Sequence, residues 1–503
     1  MITDLLAKWA IEMPAKALVV TPEGDYSFGQ VDEAARRFAG RLERLGVGEG
    51  SHVALVAGNS VAFLVAWFGI NLRGAVAVTL NNQLVADGLR YSIDQCDASV
   101  LIVDQEWADS RSQHMTERQA ALPRIVFGSD AEFFASLTHE APGTPIHVTQ
   151  DKPCSILYTS GTTGLPKGVV NSHGAYLAAG RATVGALDLD ARERIMVYLP
   201  LFHVNPQMYA VMSALTVGAT LVLLKRFSAA SFFDDAIRFG ATGCTFVGTV
   251  LSILVARYGE PRRDHTLRYC FGGGAPRDVW TAVEERFGIK VHEAYGMTET
   301  GGWSSANTVG DARFGSCGRV RHDLDIRIVD AQDNELPPGS DGEIVVRPRA
   351  PNVMLTAYYK KPEQLLQASR NFWFHTGDLG SFDADGYLYY RGRLKELIRR
   401  SGEMISPVEI ESCLRRMPGV RDCAVVAVPD AIVGDEIKAV VVWDGAPEPQ
   451  AVRSFLEPLL PAYMLPRYVE FLDAIPKTET EKIQRNKLQY LGETVHDLRE
   501  SKR

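Results

Sequence analysis

Strand-sized apolar runs alternate with amphipathic helical patterns along this chain, and that alternation restricts its fold more than any other feature. Val31-Asp32-Glu33-Ala34-Ala35-Arg36-Arg37-Phe38-Ala39-Gly40-Arg41-Leu42 places apolar residues at helical spacing and ends near Gly46. Val53-Ala54-Leu55-Val56-Ala57 follows without polar alternation, as a strand buried on both faces would. Ala75-Val76-Ala77-Val78 and Ser99-Val100-Leu101-Ile102-Val103 repeat that pattern. Strand, helix and strand in this order predict an α/β fold of parallel-type sheets with helices on both faces.

The theme continues with strands expected at Arg194–Tyr198 and Thr220–Leu224 and a helical stretch between them. From Phe314 the runs become shorter, as in Asp325-Ile326-Arg327-Ile328-Val329, and Pro337-Pro338-Gly339-Ser340-Asp341-Gly342 is a turn by composition. Residues 314–392 are therefore expected to form a β-rich subdomain of a large domain, 1–393. Beyond Arg391-Gly392-Arg393-Leu394-Lys395, helices at Pro407–Leu414 and Gln450–Leu459 and strands at Cys423–Val428 and Lys438–Trp443 outline a small α+β domain, 394–503.

Composition removes several functions. A net charge of −8 argues against nucleic-acid binding, which normally needs basic excess. Seven scattered cysteines with no C-x-x-C pair suit free thiols in a reducing compartment and exclude a zinc ribbon. Met1-Ile2-Thr3-Asp4 lacks a basic region before an apolar core, so no secretory signal and a cytoplasmic location are expected. The apolar stretch Val61–Leu72, interrupted by Gly69 and Asn71, is too short for a membrane span and reads as a buried helix.

The chemistry is concentrated in a few short segments. Tyr158-Thr159-Ser160-Gly161-Thr162-Thr163-Gly164-Leu165-Pro166-Lys167-Gly168 packs four aliphatic hydroxyls, three glycines and a lysine into eleven residues. Glycines let backbone wrap an anion, hydroxyls and amides donate, and lysine adds charge, so the segment reads as a phosphate loop. It fails the Walker pattern, because Lys167 is flanked by Pro166 and Gly168. A polar surface hairpin is the competing reading.

Phe271-Gly272-Gly273-Gly274-Ala275-Pro276 suggests close approach of a ligand or a structural turn. Ala294-Tyr295-Gly296-Met297-Thr298-Glu299-Thr300 sets an aromatic face, a hydroxyl and a carboxylate side by side, fit to cover a base, bond a phosphate and hold a hard cation. In Trp373-Phe374-His375-Thr376-Gly377-Asp378-Leu379-Gly380, Asp378 is a candidate acceptor for ribose hydroxyls, with a plain turn residue as the alternative.

These segments, in this order and over nearly the whole chain from Tyr26-Ser27-Phe28 to Lys487-Leu488, resemble the adenylate-forming superfamily of acyl-CoA synthetases, adenylation domains and beetle luciferases. The texture around Pro200-Leu201-Phe202-His203-Val204 and Tyr295–Thr300 is most similar to the crotonobetaine/carnitine–CoA ligase branch. The resemblance implies an ATP-dependent acid–CoA ligase, with a carboxylate attacking the α-phosphate and CoA then displacing AMP.

The resemblance also implies roles. Thr159, Ser160, Gly161, Thr162, Thr163, Gly164 and Lys167 would hold the departing phosphates, and Thr298 the α-phosphate. Glu299 would bind Mg²⁺; Gly272, Gly273, Gly274 and Tyr295 would frame the adenine, with Asp378 and Arg393 on the ribose. His203 matches a position at the entrance for the acyl carboxylate. Lys482, in Pro476-Lys477-Thr478-Glu479-Thr480-Glu481-Lys482-Ile483, would bridge that carboxylate and the α-phosphate. Glu481 stands where the family usually has glycine; it favours the charged ammonium but restricts the loop backbone. Lys395 matches a hinge about which the small domain turns, presenting first Lys482 and then Ser401-Gly402-Glu403 to the CoA tunnel.

Candidate acyl-pocket residues are Phe202, Val204, Asn205, Phe246, Gly248, Thr249, Gly272, Gly301 and Trp303. The Trp303 ring offers a cation–π face to a quaternary ammonium, or a flat wall to an aliphatic or cyclic acid. Two other functions stay open at this point: an adenylation enzyme loading a separate carrier protein, and a non-catalytic nucleotide-binding homologue. Oligomeric state, including a homodimer, is not written in any motif.

Overall fold

The computed structural model describes residues 1–503 except 160–165, 401–402, 431–432, 446–447, 478–482 and 499–503. Among the described residues, one sheet has nine strands, in the order Arg319–Val320, Gly302–Ala306, Lys290–Met297, Tyr269–Gly273, Gly243–Val247, Arg194–Val197, Thr220–Leu223, Ala17–Thr21 and Gly24–Ser27. Its interior pairs are parallel, whereas Gly302–Ala306, Arg319–Val320 and Gly24–Ser27 add antiparallel edges. A second sheet has seven strands, with Val76–Thr79, His52–Val56, Val100–Asp104 and Arg124–Phe127 parallel at one end. At its other end Pro153–Thr159 and Lys167–Ser172 form an antiparallel hairpin. The expected parallel sheets therefore form the centres of both sheets, and the antiparallel edges lie outside that expectation.

Period-two geometry explains why the strands read as continuous apolar runs. Val53 and Leu55 enter one core, while Ala54 and Val56, on the opposite face, enter another. The first core holds residues from both large sheets together with helices Phe28–Arg44, Val61–Leu72 and His173–Leu187, so those helices lie between the sheets. All twelve residues of Val61–Leu72 are buried, and Ser60 caps its N-terminus by accepting from Phe63 N at 3.1 Å. This bears out the buried-helix reading, and no helix among the described residues is long and apolar enough to cross a membrane.

Residues 314–392 contribute the antiparallel four-stranded sheet Leu324–Val329, Gly342–Pro348, Phe374–Phe382 and Leu388–Arg393. Past the short helical turn Leu394–Glu396, a further sheet runs from Ile398–Arg400 to Val495–Asp497, with its own apolar core around Ile410, Val425, Val441 and Val469. Helices Pro407–Leu414 and Pro449–Leu456 pack on it.

Candidate active site

Four neighbouring parallel strands of the nine-stranded sheet end where the motif residues begin. Lys290–Met297 delivers Tyr295 and then Thr298-Glu299, and Tyr269–Gly273 delivers Gly272-Gly273-Gly274. Gly243–Val247 leads into Gly248-Thr249, and Arg194–Val197 leads into Phe202-His203-Val204. Parallel strands expose their carboxyl ends on one side, where loops collect without competing for sheet hydrogen bonds. That geometry brings these four motif segments to one edge of the sheet.

The Asp378 carboxylate is the hub of the first cluster. It accepts from the Tyr295 hydroxyl at 2.8 Å and pairs with Arg393 Nε at 3.0 Å. Asp378 and Arg393 are cross-strand partners of the four-stranded sheet, so strand register, rather than a turn, places them. Tyr295 stacks on Tyr390 with centroids 5.9 Å apart. Burial works against the Arg393 charge, yet Asp378 and nearby groups outweigh it and hold the guanidinium above its ordinary range.

Glu299 is the hub of the second cluster. It is 5% exposed and accepts from the Tyr358 hydroxyl at 3.0 Å and from Thr159 Oγ at 3.4 Å. The Lys167 ammonium lies 4.8 Å from the Tyr358 ring centroid. Burial lowers the Lys167 pKa; Glu299 opposes this, while Lys361 and Lys395 reinforce it. The hinge candidate Lys395 therefore sits within electrostatic reach of the phosphate-loop lysine. Thr159 and Lys167 are opposed residues at the mouth of the hairpin. The strands flanking the phosphate-loop segment pair as a hairpin, and Glu299 acts electrostatically on Lys167 at its mouth. Ser160, Gly161, Thr162, Thr163, Gly164, Ser401, Gly402, Glu481 and Lys482 lie outside the described residues.

At two places packing favours one of the two readings that the sequence leaves open. Ligand approach is not needed to explain the glycines of Gly272-Gly273-Gly274: a Cβ on Gly272 would lie 2.0 Å from the Phe246 carbonyl oxygen, and one on Gly273 2.5 Å from that of Ala294. Gly248 is tighter still, its Cβ position 1.6 Å from the Gly274 oxygen. Close backbone approach thus demands glycine here. Gly248→Ala is expected to destabilise the protein by about 2–3 kcal/mol, seen as a lower unfolding midpoint. Gly185→Ala, in a helix with nothing within 4 Å of the new methyl, should match or exceed the parent.

The second place is Trp303. Its indole is 4% exposed, donates to Thr183 Oγ at 2.9 Å and has the buried Arg321 guanidinium 5.6 Å from its ring. The ring already has an internal cation, which disfavours the quaternary-ammonium alternative against that of a flat wall. Phe246 is likewise wholly buried in the outer core beside Met196 and Phe232, and only its carbonyl faces Asn205, accepting from Nδ2 at 3.1 Å. Gly301 is held at φ 66° with its Cβ position 2.1 Å from the Val353 oxygen. Of the remaining pocket candidates, Phe202 has its ring 4.4 Å from that of its neighbour His203, just before the π-helical stretch Asn205–Val211.

Sequence reasoning missed Tyr358, Tyr390 and Glu293. Tyr358 comes from a two-residue strand that pairs with Lys167–Ser172, and no local pattern announces that contact.

The family model described as AMP-binding enzyme matches residues 6–359, and that of the AMP-binding enzyme C-terminal domain matches 409–482. The chain is 32% identical to a sulfoacetate–CoA ligase of Cupriavidus necator, covering 96% of each chain. It is 29% identical to a crotonobetaine/carnitine–CoA ligase of Proteus mirabilis, over 92% of this chain and 93% of the relative. The crystal structure of an anthranilate CoA ligase in complex with anthranoyl-AMP superposes with a TM-score of 0.89 at 28% identity, covering 97% of this chain and 96% of that one.

Proposed function

The chain belongs to the AMP-binding enzyme family, and from that premise we propose that it is an ATP-dependent carboxylic acid–CoA ligase working through an acyl-adenylate. The observation that supports the reading is that Tyr295 and Glu299, at the end of strand Lys290–Met297, meet Asp378 and Arg393 of the four-stranded sheet on one side and Thr159 and Lys167 of the hairpin on the other. A carboxylate is a poor electrophile until one of its oxygens becomes part of a good leaving group. Attack on the α-phosphorus forms the acyl–oxygen–phosphorus bond and expels pyrophosphate. The CoA thiol then attacks the acyl carbon and AMP departs. Both steps depend on alignment and charge neutralisation more than on covalent help from the protein.

In this scheme the Asp378 carboxylate and Arg393 hold the ribose, and the Tyr295 ring lies against the adenine. Lys167 steadies the leaving pyrophosphate, Thr298 donates to the α-phosphate, and His203 guards the approach of the acyl carboxylate. Glu299 fits a magnesium site: it is a buried carboxylate bordered by two hydroxyls. Among the described residues no group of three His, Cys, Asp or Glu side chains forms a self-contained cage, so nucleotide oxygens and water would complete the coordination. When bound, the ion neutralises charge on the phosphates. Lys395, in the turn between the 1–393 and 394–503 units, would be the pivot that brings Lys482 and then the Ser401-Gly402 region to the cleft.

The acid is assigned to the aliphatic or cyclic class rather than to trimethylammonium acids. A quaternary ammonium at Trp303 would meet the Arg321 charge, and none of the candidate pocket residues is acidic. A pyrophosphate-release screen across carboxylic acids, with and without CoA, tests the whole reading. Acid-dependent release with formation of a CoA thioester is expected. Release with transfer only to a carrier protein would move the assignment to an adenylation enzyme, and no release with any acid would refute catalysis.

A further inference from the structure

Glu293 is an acid placed where a structural residue would normally be apolar. It lies two residues before Tyr295 in strand Lys290–Met297 and is buried. Its carboxylate accepts from Gly274 N at 2.6 Å and from Ala275 N at 3.1 Å. The position of a Cβ on Gly273 would be 4.0 Å from the same oxygen, so the carboxylate lies directly beneath the glycine-rich turn. The Glu293 backbone is itself fixed, its carbonyl accepting from Asn307 N at 2.9 Å and Nδ2 at 3.3 Å. Among the described residues, what offsets the burial of the Glu293 carboxylate is the pair of amides and no basic side chain. The turn after Gly273 thus owes two of its amide hydrogen bonds to one carboxylate.

We propose that Glu293 is a positioning residue for nucleotide binding, its carboxylate setting the Gly274-Ala275 turn against which the adenine ring lies. The proposal rests on the reading of that turn as the adenine wall. Its chemical logic is that an ionised carboxylate offers an acceptor to each amide, whereas the protonated acid keeps one good acceptor and turns the other oxygen into a donor. Burial pushes the carboxyl up from its ordinary value near 4.5 to about 8, against the pull of the two amides. The groups facing it stay neutral across that window: burial raises the thiols of Cys270 and Cys317. Burial lowers the neighbouring His292, whose ring meets the Asn307 carbonyl. The sign follows for folding too. An acid raised in the folded state removes stability as pH climbs from its unfolded value toward about 8, and removes no more above it.

Adenosine is the probe, because it has no group that titrates between neutral and mildly alkaline pH. In the full-length protein its affinity, measured by calorimetry, is expected to rise roughly tenfold between about pH 6.5 and 9, the gain of about one charge-assisted hydrogen bond. Glu293→Gln should bind adenosine with the weak, low-pH affinity at every pH, with KM for the acid and for CoA unchanged. Glu293→Asp, which keeps the charge but shortens its reach, should bind weakly yet still titrate. Thermal midpoints of parent and Glu293→Gln followed against pH separate the ways of failing. Midpoint curves that differ between the two, with adenosine affinity flat in both, would refute the adenine reading while leaving the carboxylate clamp. Parallel midpoint curves with parallel adenosine profiles would refute the clamp itself.

Discussion

Lys482→Ala should lose acyl-adenylate formation by roughly 100- to 1000-fold, the usual consequence of removing one donor aimed at developing charge. Thioester formation from supplied acyl-adenylate should stay near the parent rate. The split follows from the two-step scheme, in which the lysine acts while negative charge gathers between carboxylate and α-phosphate and has no task once the adenylate exists. The described residues on either side anchor the segment: Lys477 bridges to Ile483 and pairs with Asp422 at 2.6 Å. Arg485 bonds Glu396 at 3.0 Å in the Leu394–Glu396 turn and the Val425 carbonyl at 2.6 Å. Those contacts do not depend on the lysine side chain, so the substitution should leave the small domain intact. Measuring pyrophosphate exchange beside thioesterification of synthetic acyl-adenylate decides the matter. Equal loss of both half-reactions would remove Lys482 from its assigned role.

Asp378→Asn should reduce kcat/KM for ATP about 100-fold, with KM for the acid and for CoA unchanged. A hydrogen bond to an ionised group contributes about 1.5–3 kcal/mol, and two ribose hydroxyls would lose that partner. The amide keeps the shape of the site and can still accept from Tyr295, so the fold survives. Asp378→Ala should do more harm: it strips the partner from Arg393 and from the buried Tyr295 hydroxyl and should lower the thermal midpoint as well. A uniform rise in KM for all three substrates would contradict a ribose contact. The cluster would then be a strut between the nine-stranded and four-stranded sheets.

The elements were legible wherever burial imposes periodicity. Val61–Leu72 and Pro407–Leu414 fall where the sequence places them, because a fully buried helix or a Pro-initiated amphipathic one leaves a direct pattern. Strands such as Val420–Asp430 and Gly434–Trp443 run several residues beyond their apolar centres. Edge pairing extends a strand through polar residues that carry no signal. The motif segments were legible for another reason: their residues sit in short contiguous strings, and the order of those strings carries the family resemblance.

What the chain determined by itself, then, is an alternating α/β fold and a set of groups fit for nucleotide chemistry, since local periodicity and side-chain chemistry are properties of neighbouring residues. Tertiary structure alone decided what those groups meet. Tyr358 reaches Glu299 through a two-residue edge strand, and Asp378 reaches Tyr295 across two different sheets. The same packing turns Trp303 from an open ring into a core residue facing Arg321. It also makes Gly248 and Gly272 necessary by bringing other backbone against them. Such contacts join residues far apart in the chain, and spacing along a sequence does not encode which distant segment fills the space beside a side chain.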